Sequence, residues 1–244
     1  MARTRPIIVP QGTLFEGPHV LDDDLGRYLR DVLRLRVGAK VWATDGAGRC
    51  AEGIVDKIER RAVTVVFGPC RIEPPPRGPS ISLIQAVGKN EKMDAVIRHT
   101  VELGVRRIRP VVTERTVNRR EARSRWLQIA EDALRVSGRV WRPTIDPVRS
   151  LPSVLNDVRS GAGFVLALNA PSSLAGRLAL LGSRASVELL VGPEGGLSPD
   201  EVTRAQQSGF LPSHMGSHAL RTETAGCAVV AVAMALLDGW TLDP

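Results

Sequence analysis

The sequence predicts an α/β protein in two parts: a small β-domain over residues 1–72 and a layered α/β domain over residues 80–244. Three observations carry this. After residue 80, short apolar runs alternate with helix-like stretches, the pattern of a sheet covered by helices. Before residue 72, strand-like runs follow one another with turns between them. The two parts are separated at 73–79 by EPPPRGP, whose three consecutive prolines favour a stiff, extended connector.

In the first part, DDDLGRYLRDVLRLR (22–36) reads as one helix, with acids in its first turn and basic residues toward its end, as the helix dipole prefers. Leu25, Tyr28, Leu29, Val32 and Leu33 form its apolar stripe. Arg27, Arg30 and Arg34 fall at helical spacing on the other side as a basic ridge. AKVWATD, CAEGIVDKI and AVTVVFGP are strands, divided by the turns DGAG and ERR. In the second part, ISLIQAV is a strand and EKMDAVIRHTVEL a helix stopped by Gly104. RRIRPVV is a strand and RWLQIAEDALRVS a helix stopped by Gly138. FVLAL and VELLV are short, continuously apolar runs of the kind buried in a parallel sheet.

With 244 residues, 43% hydrophobic and 24% charged, the chain has the composition of a globular protein able to bury a core. Its N-terminal segment MARTRPIIVP has no apolar stretch suited to a signal peptide. The longest apolar run, AGCAVVAVAMALL, is too short to span a bilayer. Cys50, Cys70 and Cys227 lie far apart, with no CxxC pair and no histidine at ligand spacing. These features point to a cytoplasmic protein with no membrane partner, no disulfide framework and no metal. The net charge of +7 is regional. Residues 73–150 carry 16 Lys/Arg against 9 Asp/Glu, whereas residues 151–244 carry 5 against 8. The excess is mostly arginine, which suits bidentate phosphate recognition, so a polyanionic partner is expected.

The segment GPEGGLS (192–198) joins the end of a strand to a helix. Ser198, with Pro199 at the first helical position and Glu201 three residues on, is a capping-box start. Ligands of open α/β sheets bind at such strand ends. No GK[ST] ending follows the glycines and no GxGxxG occurs, so a phosphate-binding loop is disfavoured. The glycines either clear room for a ligand edge against the backbone or serve a tight turn. A second glycine turn, HMGSHALRTETAG (214–226), leads into the small-residue helix. Two such loops can line one cleft with main-chain groups, a wall suited to the adenine and polar edges of a nucleoside cofactor.

LLVGPEGGLSPDEV followed by LRTETA resembles the SPOUT, or trefoil-knot, RNA methyltransferases. Within them the chain is most similar to the family that methylates N3 of a uridine in 16S ribosomal RNA. VLRLRVG and the DG turn at 45–46 match its PUA-like N-terminal β-barrel domain; KNEKMD, VELGV and RWLQIAEDA match the start of its catalytic domain. The resemblance implies S-adenosyl-L-methionine as cofactor, held by three knot loops at 168–169, 192–196 and 215–225. Within these, Leu168, Asn169, Gly192, Gly195, Gly196, Met215, Gly216, Leu220, Thr222, Thr224 and Ala225 are the binding candidates. It also implies a homodimer packed through the knot and small-subunit ribosomal RNA, or the assembled small subunit, as substrate. The chain departs from the family pattern at Arg27, Tyr28, His99, Arg135, Val136, Asn169 and His218, which bears on the identity of the target uridine.

Transfer of a methyl group from a sulfonium is an in-line displacement governed by positioning. Uridine N3 becomes a good nucleophile only when its proton is lost and charge spreads onto the flanking carbonyl oxygens. A fixed arginine there would stabilise that charge. Arg221 is the candidate, with Glu223 and Glu194 as proton acceptors or as groups orienting it; the alternative is an Arg221–Glu223 pair that only braces the loop. With 4% aromatic residues, RNA is expected to be held chiefly through phosphates. Arg27, Arg30, Arg34, Arg115 and Arg139 are the candidates, the last two within the basic segment 106–142. A methyltransferase acting at another RNA site, a non-catalytic RNA-binding protein with a relic pocket, and a nucleotide-using α/β enzyme stay open as alternatives.

Overall fold

The computed structural model describes residues 5–117, 121–157, 161–183 and 185–240. The chain divides into two compact units, Met1–Pro76 with Leu134–Arg142, and Arg77–Ala133 with Pro143–Pro244. The segment Leu134–Arg142 groups with the N-terminal unit although it follows two strands of the second in sequence.

The first unit contains β1 (Ile7–Ile8), β2 (Gly17–Asp22), α1 (Asp23–Arg27), a π-helical turn (Tyr28–Val32), β3 (Lys40–Thr44), β4 (Arg49–Ile58), β5 (Ala62–Phe67) and β6 (Arg71–Ile72). They make a six-stranded sheet of order β1-β3-β4-β5-β2, with β6 against β4. Apolar residues alternate inward along β5, where Val63, Val65 and Phe67 are buried with Ile7, Leu29 and Val55. Among the described residues the path does not return on itself, so the β-barrel domain expected here takes the form of a half-barrel.

The predicted helix over 22–36 is replaced by three shorter pieces. Its first residue ends β2, a strand missed in the sequence, which pairs antiparallel with β5 from Gly17↔Phe67 to Asp22↔Ala62. The run of acids at 22–24 reads as a helix start and hides the strand before it. After α1, the Leu33 N–H reaches the Tyr28 carbonyl at 2.9 Å, an i→i+5 bond that shifts the helical period. Leu29 is fully buried, but Val32, expected in the apolar stripe, is 66% exposed. Arg34 lies beyond the helix with φ of 50°, in the left-handed region. Arg27, Arg30 and Arg34 therefore form no ridge at helical spacing. Tyr28, the single tyrosine, lies 5.3 Å beneath the Arg135 guanidinium within the same unit, a cation–π contact between two of the departures noted above.

The second unit runs β7 (Ile81–Ala86), α2 (Asn90–Leu103), β8 (Arg107–Val112), α3 (Arg123–Ser137), β9 (Thr144–Ile145), β10 (Arg149–Ser150), α4 (Leu151–Leu155), β11 (Ala162–Leu166), α5 (Leu174–Leu178), β12 (Val187–Val191), α6 (Pro199–Gln207), β13 (Phe210–Ser213) and α7 (Thr222–Leu236), with the end of α3 passing to the first unit. All pairings of its seven-stranded sheet are parallel, in the order β10-β8-β7-β12-β11-β13 with β9 beside β8. Every residue of β7 and β12 is buried. Ile81 and Leu83 face one core with α2 and α7, whereas Ile84 and Ala86 face the other with α4 and α6. Helices thus cover both faces, as the unbroken apolar runs require. Because β12, β11 and β13 are neighbours, the loops leaving their C-terminal ends emerge side by side.

Candidate active site

The loop at 192–197 is held from within. An added Cβ on Gly192 would lie 3.0 Å from both Leu197 Cγ and the Leu197 nitrogen, because the loop folds back on itself. Gly196 has φ of 69°, which favours glycine, and its N–H donates to the Pro193 carbonyl at 2.9 Å. Gly195 differs: its missing Cβ would point at the Arg115 side chain at 3.5 Å, an ordinary contact. The turn itself thus calls for glycine at 192 and 196, and the space beside Gly196 is open.

The same loop is tied down outside. Arg115 Nη1 donates to the Gly195 carbonyl at 2.8 Å. The expected capping box is present, with Ser198 Oγ accepting from the Glu201 N–H and Glu201 Oε2 from the Ser198 N–H. Buried Glu201 also accepts from the Glu114 N–H at 2.8 Å through Oε1, which anchors the loop after β8 to the start of α6.

The facing loop, 214–221, is looser. Among the described residues, the main chain from 215 to 220 makes no backbone–backbone hydrogen bond. Its local support is the Gly216 N–H donating to His214 Nδ1 at 3.1 Å. Where it enters α7 it is anchored: buried Gln85 Nε2 donates to Thr222 Oγ1 at 2.9 Å, and Thr222 Oγ1 donates to the Gly192 carbonyl at 2.6 Å. One threonine hydroxyl joins the end of β7, the start of α7 and the glycine loop.

Between these loops and the end of β11 lies a cavity of about 200 Å³. Its floor is Leu166, Ala167, Val191 and Ala225, and its walls include Leu197, Met215 and Leu220. Of the predicted cofactor residues, Leu168, Gly192, Gly196, Met215, Leu220, Thr222 and Ala225 line it, as does Glu194. Asn169, Gly195 and Gly216 do not, and Thr224 instead lines an apolar groove between α2 and α7 with His99 and Cys227. Burial, and then the nearby Glu223 charge, push the Cys227 thiol up to about 11, so it is a packing group and not a nucleophile.

The alternative Arg221–Glu223 pair is not seen among the described residues. Arg221 stands exposed at the N-terminus of α7, between the pocket residues Leu220 and Thr222, and among the described residues its guanidinium has no ion pair or hydrogen bond. Glu223 lies 3.8 Å from Lys92 Nζ, which also contacts Glu194 Oε1 at 2.9 Å. Burial pushes the Glu194 carboxyl up, but hydrogen bonds from Lys92 and from the N–H groups of Glu194 and Lys89 outweigh it and hold the group below its usual value. Lys92 and Gln85 were not marked by the sequence as site residues, nor were the lining residues Leu166, Ala167, Val191 and Leu197.

The candidate phosphate-binding arginines are dispersed. Arg27 is exposed, 3.6 Å from Asp24. Arg30 is committed to Asp31 through Nε at 2.7 Å and to the carbonyls of Glu59 and Arg60. Arg115 braces Gly195, Arg34 is exposed, and Arg139 is half-buried. Arg119 and Arg120, in the basic segment, lie outside the described residues. Among the described residues no cluster of His, Cys, Asp or Glu could hold a metal, and no helix is long and apolar enough to cross a membrane.

A pocket at three adjacent strand ends, walled by open main chain, coincides with a match over residues 76–234 to the family model described as an RNA methyltransferase domain. The chain belongs to that family. Residues 21–68 match a second model, the RNA methyltransferase PUA domain. The ribosomal RNA small subunit methyltransferase E of Mycobacterium tuberculosis is 29% identical over 230 residues, covering 91% of this chain and 87% of that protein. The protein of the same name from Synechocystis is 27% identical, covering 96% of this chain and 78% of its own. The crystal structure of the Neisseria gonorrhoeae ribosomal RNA small subunit methyltransferase E, bound to S-adenosyl methionine, superposes with a TM-score of 0.85 at 27% identity, covering 96% of this chain and 98% of that one. The methyltransferase unit is thus of the SPOUT, trefoil-knot class, and the half-barrel before it is PUA-like.

Proposed function

We propose that this protein transfers a methyl group from S-adenosyl-L-methionine to N3 of a uridine in small-subunit ribosomal RNA. The observation that carries the reading is the cavity at the ends of β12, β11 and β13, where a braced glycine loop faces a stretch of main chain with no backbone partners of its own. Its residues fit such a cofactor. An apolar floor at Val191 and Ala225 suits a flat ring, and main-chain groups of 215–220 that have no backbone partner among the described residues suit the ring's polar edge. Leu168, Gly192, Gly196, Met215 and Leu220 would hold it, with Thr222 keeping the walls in place. When bound, the cofactor supplies an electrophilic methyl group on a sulfonium.

The chain's own residues must make uridine N3 a nucleophile. Arg221, at the pocket rim and without an ion pair among the described residues, is assigned to stabilise the negative charge that spreads to the base carbonyls as the N3 proton leaves. Glu194, held firmly as an anion, is a weak proton acceptor, so Glu194 and Glu223 are placed as charge-balancing groups. The basic segment and the PUA-like unit are assigned to the RNA. We further assign a cytoplasmic homodimer, packed on the face where Ala228 and Ala231 of α7 meet Leu103 of α2.

The test incubates the purified protein with labelled cofactor and either deproteinised small-subunit RNA or assembled subunits, then locates the methyl group by mass spectrometry of nuclease fragments. The expected product is N3-methyluridine at a single position. Absence of transfer to both substrates, or a methyl group on another atom, would overturn the assignment.

A further inference from the structure

Lys92, on the first turn of α2, has no part in the mechanism above, yet it is the cation around which the pocket rim is arranged. Its Nζ lies 2.9 Å from Glu194 Oε1 in the glycine loop and 3.8 Å from Glu223 Oε2 at the start of α7. The three side chains are 30%, 38% and 20% exposed, half withdrawn from water. Gly88 keeps this corner tight: a Cβ there would sit 3.4 Å from Glu194 Oε1 and 3.5 Å from Lys92 Cβ.

The arrangement matters because of Arg221. It is two residues from Glu223 at the head of the same helix, and a guanidinium beside a carboxylate forms a bidentate pair readily. Such a pair would occupy the planar fork that a base carbonyl needs. Here Glu223 turns to Lys92, and among the described residues Arg221 has no ion-pair or hydrogen-bond partner. Lys92 and Arg221 also repel each other, while hydrogen bonding to Glu194 keeps Lys92 charged.

We infer that Lys92 is a positioning residue: it holds Glu194 and Glu223 together so that neither captures Arg221, whose guanidinium stays available to the RNA base. The inference rests on the methyl-transfer reading and on the role given to Arg221 there. It does not require Lys92 to touch cofactor or RNA. Removing Lys92 leaves Glu194 and Glu223 without the cation they share, with Arg221 two residues from Glu223 at the head of α7, and removing the Glu223 charge as well releases Arg221 again.

The experiment measures single-turnover methyl transfer to small-subunit RNA, with cofactor and RNA saturating, for wild type, Arg221→Ala, Lys92→Met, Lys92→Arg and the double variant Lys92→Met/Glu223→Gln. Lys92→Met should lose on the order of 10- to 100-fold in rate, as misplacement of a positioned group does, with cofactor affinity changed less than about threefold. Lys92→Arg should retain most of the rate. The double variant should recover at least about a third of the wild-type rate, a rescue that lost packing would not give. Should Lys92→Met fold poorly, Lys92→Gln, close in length and polar, takes its place in the same cycle. A wild-type rate for the Lys92 variant, or a loss that Glu223→Gln does not restore, overturns the inference while leaving the function intact. Equal rates for wild type and Arg221→Ala overturn the Arg221 role and this inference with it.

Discussion

The two loops that face each other across the pocket are built oppositely. The loop at 192–197 is fixed by its own turn, by Arg115 on the Gly195 carbonyl, and by a capping box whose Glu201 also binds the loop after β8. Among the described residues the loop at 215–220 makes no backbone–backbone hydrogen bond; the Gly216 N–H donates to His214 Nδ1, and the firm anchor is where Thr222 enters α7. One wall is formed in advance; the other has unmet main-chain groups. A pocket of this kind takes its shape from the rigid loop and its specificity from the open one, since only uncommitted donors and acceptors can read a ligand's edge.

The largest effect should come from the end of the open loop. Arg221→Ala should lower the single-turnover rate by on the order of a hundredfold or more, as removal of other charge-stabilising donors does, with little loss of RNA affinity. Raising pH should restore part of the loss, because solution then supplies more of the N3 anion. A pH–rate profile with both substrates saturating reads this directly. Loss of cofactor affinity at an unchanged rate would make Arg221 a loop residue instead.

The rigid wall can be broken at its anchor. Glu201→Ala leaves the buried Ser198 N–H and the part-buried Glu114 N–H without their acceptor. It should cost about 2–3 kcal/mol in denaturant unfolding. A cost below about 0.5 kcal/mol would mean that water replaces the carboxylate and the wall is not braced there.

Within the rigid loop, neighbouring glycines should respond differently. Gly196→Ala must hold alanine at φ of 69°, at a cost of about 1–2 kcal/mol, and it lines the pocket, so calorimetry should show weaker cofactor binding. Gly195→Ala meets only the flank of Arg115 and should change stability by less than about 0.5 kcal/mol, with cofactor affinity unchanged. Equal behaviour of the two variants would refute the geometric distinction.

This pair shows how far the sequence reaches. GPEGG marked the loop and its place at a strand end, but its three glycines look alike until the turn shows which has a left-handed φ and which faces Arg115. The α/β unit was legible because buried parallel strands such as VELLV are apolar throughout and Ser198-Pro199 with Glu201 signals a helix start locally. The N-terminal helix was not, since an i→i+5 bond at Tyr28 leaves no mark in composition. Lys92 escaped notice because its partners, Glu194 and Glu223, lie about a hundred residues or more away in sequence. Thr224 was misplaced because one step along α7 turns a side chain from the pocket to the α2 groove.

The smallest effect concerns pH. Although burial opposes it, Glu194 is held below the usual 4.5, so the stability it contributes is present above that value and is lost as pH falls through its lower folded value. Lys92 is raised above 10.5, chiefly by its hydrogen bond to Glu194; its share is complete below that value and is lost as pH rises through the folded one. The melting-temperature difference between wild type and Glu194→Gln should therefore be flat from pH 6 to 9 and shrink below about pH 4. It should be small, since the pair is partly exposed. A difference that grows as the pH falls would contradict the pairing.

The contrast between the two walls is tested most directly by amide hydrogen exchange across residues 191–222, with and without S-adenosyl-L-methionine. Exchange in 215–220 should be fast in the free protein and slow strongly when the cofactor is added, while 192–197 should be protected in both states. Unchanged exchange in 215–220 at saturating cofactor, or protection gained only elsewhere in the chain, would contradict the assignment of this pocket.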